Sequence, residues 1–143
     1  MSSVSATIEA PVSAVWAALV DPDTYPDWLI GARRIRRVED GWPRPGTSFH
    51  HVVGLGGPLS IADRTTALEV QDQRLLKMEV RARPLVHGSV TFTLEPADDG
   101  RSTTVTVEEH PIGLHRVFAP VLTPLAAARN RTSLEKLERT IRA

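Results

Sequence analysis

The chain contains no cysteine, which excludes disulfides, thiolate metal centres and a thiol nucleophile. It carries no net charge either: Lys+Arg and Asp+Glu number 17 each, which argues against a protein held on nucleic acid by electrostatics. Apolar runs last only a few residues, and the first residues show neither a basic n-region nor a sustained h-region. Neither a membrane span nor a signal peptide is expected, and the cytoplasm is the default location. The five histidines lack HxH or HExxH spacing, and no lysine follows Gly54, Gly56 and Gly57. A metal site and a phosphate-binding loop are therefore not expected, and no cofactor is implied.

What is present is a regular alternation of element signals over 143 residues, a length that suits a single domain spanning 1–143. Such a chain buries roughly two thirds of its unfolded surface, enough for its own core. Val4, Ala6 and Ile8 alternate with Ser5, Thr7 and Glu9, which predicts a half-buried strand. Pro11 then opens a short helix, in which Val12, Val15, Trp16, Leu19 and Val20 form one apolar stripe. Asp21-Pro22-Asp23 breaks that helix, and Tyr25 to Gly31 reads as a second, glycine-capped helical turn.

Turn chemistry at Gly41 to Gly46, Gly54 to Pro58, Gln71 to Gln73 and Asp98 to Gly100 divides the middle of the chain into hairpin-connected strands. Their apolar faces are Leu76, Met78, Val80 and Ala82; then Val90, Phe92 and Leu94; then Val105 and Val107. From Arg33 to Glu39, Ile35 and Val38 fall on opposite parities, which predicts a bulge or an edge position. After Pro111 the spacing becomes helical, with Val117, Phe118, Val121, Leu122 and Leu125 early and Leu134, Leu137 and Ile141 late. Pro120 suits the first turn of this long helix, whereas Pro124 predicts a kink or a later start.

This is an α+β order of strand, two short helices, about six to seven antiparallel strands and a long C-terminal helix. It resembles the START-like, polyketide cyclase/dehydrase (SRPBCC, helix-grip) superfamily. Ile8-Glu9-Ala10-Pro11-Val12-Ser13-Ala14-Val15-Trp16 looks like that family's strand-to-helix junction, Asp21 with Tyr25-Pro26-Asp27-Trp28 like its second helix, and Gly100-Arg101-Ser102-Thr103-Thr104-Val105 like its last hairpin. The resemblance implies a curved sheet wrapped around the long helix, with a cavity between them that relatives use for lipids, hormones and polyketides or for cyclising aromatic precursors. A fold of this kind does not select among those functions.

Within such a cavity, Trp28, Phe49, Met78, Val80, Phe92 and Val107 are the expected apolar contacts of a ligand. Glu109 continues the parity of Val105 and Val107 and points inward if the strand stays regular; if Pro111 distorts the strand end, it is solvated instead. His51 shares a face with Phe49 and Val53, and His50 with Val52, so one of the pair points inward. Arg64 shares parity with Leu68 and Val70 and is the favoured inward residue over Asp63, with Glu109 as its natural partner. Asn130 interrupts the apolar face of the long helix, where it either reaches a ligand or satisfies a carbonyl freed by Pro124. His87 and His110 are expected to face outward. The run Arg33-Arg34-Ile35-Arg36-Arg37 reads as a solvated edge strand rather than a nucleic-acid patch.

Three functions fit. The first is binding of a small, largely apolar ligand of lipid, polyketide or aromatic type. The second is a polyketide cyclase or dehydratase, with Glu109 or His51 removing a proton next to a carbonyl while Arg64 stabilises the enolate oxygen. The third is a protein-interaction module resembling chaperone activators, presenting Trp42 and a mobile glycine-rich turn at the cavity mouth. Association into a homodimer is compatible with all three.

Overall fold

Alternation carries through into strands, and helical spacing into helices, in the computed structural model, which describes residues 2–30, 32–54, 58, 60–82, 86–112 and 119–142. In chain order the elements are β1 (Ser2–Ile8), α1 (Val12–Leu19), a 3-10 turn (Pro22–Thr24), α2 (Tyr25–Trp28), β2 (Ala32–Val38), β3 (Ser48–Gly54), β4 (Ser60–Gln71), β5 (Leu75–Ala82), β6 (Val86–Pro96), β7 (Thr103–Pro111) and α3 (Ala119–Arg142). The seven strands form one antiparallel sheet in the order β1-β7-β6-β5-β4-β3-β2. Neighbours in sequence pair as hairpins, except that β1 closes against β7.

The short helices are pinned where they end. The last carbonyls of an α-helix lack partners within it, and here side chains supply them. Thr24 Oγ1 donates to Ala18 O at 2.9 Å, the Tyr25 hydroxyl donates to Leu19 O, and Trp42 Nε1 donates to Val20 O at 2.9 Å. Buried Tyr25 and Trp28 then meet edge to face at 5.2 Å, and Tyr25 meets Phe49 in the same way at 5.3 Å. Trp42 is partly buried and packs on Phe49 at 4.9 Å against the core, so it is not the freely exposed residue expected of an interaction module. The indole N–H needed an acceptor, and the end of α1 provides one.

Two strands depart from simple alternation. β2 is an edge strand with register shifts between Ala32 and Arg34 and between Ile35 and Arg37, as the mixed parity of Ile35 and Val38 predicts. The shifts let Ala32, Ile35 and Val38 all pack on the core at intervals of three. β4 contains a further shift between Ala67 and Glu69, which leaves Leu68 44% exposed. A bulge of one residue reverses which side chains face inward.

α3 packs on β1 and α2, and its Leu134 and Leu137 are buried in the core. It starts at Ala119, with Pro120 in its first turn and Pro124 inside the helix. Val117, Phe118, the Gly31 cap and residues 55–57 of the glycine-rich turn lie outside the described residues. Ala126, Arg129, Asn130, Ser133 and Leu134 of α3 face residues of the middle strands across a gap. The space left there is the cavity.

Candidate functional site in the cavity between sheet and helix

The cavity has a volume of about 470 Å³ and draws its walls from α2, α3 and every strand from β2 to β7. That volume lies within the range of small-molecule sites. Trp28, Phe49, Met78, Val80, Phe92 and Val107 all line it. Trp28 is fixed by an Nε1 hydrogen bond of 3.0 Å to Thr24 Oγ1 and by an edge-to-face contact with Phe92 at 6.1 Å. These walls are rigid aromatic surface, with few polar groups among them.

Of the polar candidates, His51, Glu109 and Asn130 line the cavity and Arg64 does not. His51 is 3% exposed; its Nε2 lies 3.0 Å from Thr65 Oγ1, and its Nδ1 has no hydrogen-bond partner among the described residues. Burial lowers the imidazole pKa, against the opposing effects of the Asp63 carboxylate and the Arg64 backbone, so the ring is held towards its neutral form. His50 points the other way and bonds Glu39 at 3.2 Å.

Arg64 is exposed, opposite His50 on the outer face. Counting back from Val70 by twos puts Arg64 inside, but the bulge at Leu68 shifts the strand by one. Ile61, Thr65 and Ala67 therefore share the inner parity, and Asp63 with them. The expected partnership of Arg64 with Glu109 is replaced by one with Arg129.

β7 keeps its register through Pro111 against β6 and through Glu109 against β1, so Glu109 stays on the inner parity of Val105 and Val107. Both its carboxylate oxygens accept from Nη2 of Arg129, one turn of helix before Ser133. The pair ties β7 to α3 at the cavity wall, with side chains 21% and 36% exposed. Asn130, next to Arg129, is 4% exposed, and its Nδ2 has no partner among the described residues. Ser133 on the same face accepts from Ile30 N at 3.0 Å and so anchors the chain after α2 to the helix.

Thr65, Arg129 and Ser133 escaped the sequence reading, although the spacing of Ala126, Asn130, Ser133 and Leu134 puts them on one helical face. His87 is half-buried rather than solvated: its Nε2 lies 3.1 Å from Glu79, and the residue contributes to the cavity lining instead of facing only outward. His110 is exposed, sits 3.8 Å from Glu108 and also contributes to the cavity lining. In the basic strand, Arg36 reaches the carbonyls of His51 and Asp63, and Arg37 lies 3.7 Å from Glu39. No helix is long and apolar enough to cross a membrane among the described residues.

Comparison with known proteins points the same way. The sequence profile of a family described as polyketide cyclase / dehydrase and lipid transport matches residues 2–142. No curated protein matches the chain. Among solved structures, protein NE0264 from Nitrosomonas europaea superposes with a TM-score of 0.69 at 19% identity, covering 98% of this chain and 92% of that one. The Zhui aromatase/cyclase from Streptomyces sp. R1128 gives a TM-score of 0.69 at 16% identity, with 98% and 92% covered. DynU16, a putative protein of the dynemicin biosynthetic locus, gives 0.70 at 19% identity over 99% of this chain and 47% of its own. At these identities the shared feature is the helix-grip fold.

Proposed function

We propose that this chain, which belongs to the polyketide cyclase/dehydrase and lipid transport family, binds a small, largely apolar ligand of polyketide, aromatic or lipid type between its sheet and α3. Residues 1–143 act as one ligand-binding unit. The observation that carries this reading is the cavity of about 470 Å³, walled by Trp28, Phe49, Met78, Phe92 and Val107 and furnished with a few buried polar groups. An apolar enclosure with sparse polar fixtures suits a ligand that gains most of its affinity from desolvation. Native mass spectrometry of the protein purified from its own host is expected to show a bound small molecule. Two-dimensional NMR against aromatic and lipid libraries is expected to shift Trp28, Met78 and Val80 signals. An empty protein with no shift response to either library refutes the proposal.

A cyclase or dehydratase activity is a second reading, supported by His51. In the tautomer that donates Nε2–H to Thr65 Oγ1, a neutral imidazole keeps the Nδ1 lone pair free to take a proton next to a ligand carbonyl. Glu109 is less suited to that task, since Arg129 occupies both its oxygens. Turnover of a polyketone substrate that survives His51→Phe would exclude His51 as the base.

A further inference from the structure

We infer that the ligand of this cavity is uncharged and carries an oxygen acceptor that hydrogen-bonds the Asn130 side-chain amide on α3. The inference rests on the ligand-binding reading above and narrows it to a chemical class. Asn130 is 4% exposed on the helix face that also carries Leu134 and Leu137, and it lines the cavity. Its Nδ2 has no hydrogen-bond partner among the described residues. A buried amide donor without an acceptor is unfavourable, and a leucine at the same helical position would have avoided the cost. A carbonyl or ether oxygen on a ligand removes that cost, so such a ligand gains over a hydrocarbon of the same shape.

The charge of the wall decides which oxygen. Arg129 is the only arginine or lysine lining the cavity among the described residues, and its Nη2 is held by both oxygens of Glu109. Buried His51 is held towards its neutral form. His87 and His110 line the cavity too, and each lies beside a carboxylate, Glu79 at 3.1 Å and Glu108 at 3.8 Å. Among the described residues a carboxylate or phosphate head would thus find no unpaired cation and would face the Glu109 charge as well. A ketone, quinone or ester oxygen meets neither obstacle. Trp28 and Phe92 supply aromatic surface for the apolar body of such a molecule.

Three probes of nearly one shape separate these terms: 2-acetylnaphthalene, 2-isopropylnaphthalene and 2-naphthoate. NMR titration of the unaltered full chain is expected to give the ketone roughly tenfold tighter binding than the hydrocarbon, the scale of one net hydrogen bond. The carboxylate is expected to bind more weakly than the ketone. The side-chain amide signal of Asn130 should shift with the ketone and not with the hydrocarbon, which a purely structural asparagine would not do. In Asn130→Leu the preference for the ketone should vanish while the hydrocarbon still binds. Equal binding of ketone and hydrocarbon by the unaltered protein, or a preference undiminished in Asn130→Leu, overturns the role of Asn130. A carboxylate that binds as tightly as the ketone overturns the exclusion of charge. Binding of none of the three counts against the cavity as a ligand site altogether, whereas tight hydrocarbon binding without ketone preference sinks only this inference.

Discussion

Filling the cavity should stabilise the protein and impair its binding, an outcome opposite in sign to that of enlarging a side chain in a packed core. Ala126 on α3 is half-buried and lines the cavity, so Ala126→Leu adds three carbons to the void while keeping a strong helix former. Each carbon taken out of water contributes about 0.8 kcal/mol. Fixing the leucine rotamer costs about 0.5–1 kcal/mol. The balance is a gain of roughly 1.5 kcal/mol, which corresponds to a rise of several degrees in Tm for a chain of this size. Urea denaturation should show the midpoint moving up at an unchanged slope, since the surface exposed on unfolding hardly alters. Affinity for 2-acetylnaphthalene should fall in the same variant, because the added side chain occupies its space. A loss of about 1–3 kcal/mol instead is the signature of overpacking and would show that no usable void lies beside α3.

Acid should act through His51. Its folded pKa lies below the ordinary value of 6.5, so the unfolded chain takes up a proton that the folded chain resists. Stability therefore declines as pH falls through about 6.5, and a His51→Phe variant followed by denaturation at stepped pH should lose that part of the decline; an identical pH profile in both proteins refutes it. Arg129→Met leaves the Glu109 carboxylate without its partner on a partly buried wall and should cost about 1–3 kcal/mol after allowance for solvent screening. The double variant Arg129→Met with Glu109→Gln should recover most of that loss, and strictly additive losses would show that the two do not interact. Arg64→Ser, on the outer face, should change stability by less than about 0.5 kcal/mol and leave probe binding unaltered; a binding defect would restore Arg64 to the site. Tyr25→Phe removes the hydroxyl that Leu19 O accepts from in the buried corner and should cost about 1–2 kcal/mol by denaturation.

The contrast between Glu109 and Arg64 shows what a sequence can reveal about such a cavity. Both placements rest on counting residues by twos from an apolar anchor. The count succeeds for Glu109 because β7 pairs without a register shift from Thr103 to Pro111. It fails for Arg64 because the extra residue at Leu68 lies between the anchor Val70 and the site. Nothing local marks that bulge, since no glycine or proline occupies it, whereas the two shifts in β2 disclose themselves by putting Ile35 and Val38 on opposite parities. The architecture was legible because most strands and the long helix repeat their own period several times, so one irregularity leaves the pattern intact. Polar residues of the site each occur once, and a slip of one residue moves them from wall to solvent. Partnerships between distant elements carry even less local signal. Arg129 on a helix reads as a solvated charge until α3 is laid across β7, and Trp42 in a turn reads as exposed until Val20 O, 22 residues earlier, is seen to accept its N–H. Asn130 was detectable because it breaks the apolar period of α3, and the same break leaves Nδ2 with no partner within the described structure. The residue that violates its element's pattern is thus also the one left with an open hydrogen bond among the described residues, the opening that the proposed ligand oxygen fills.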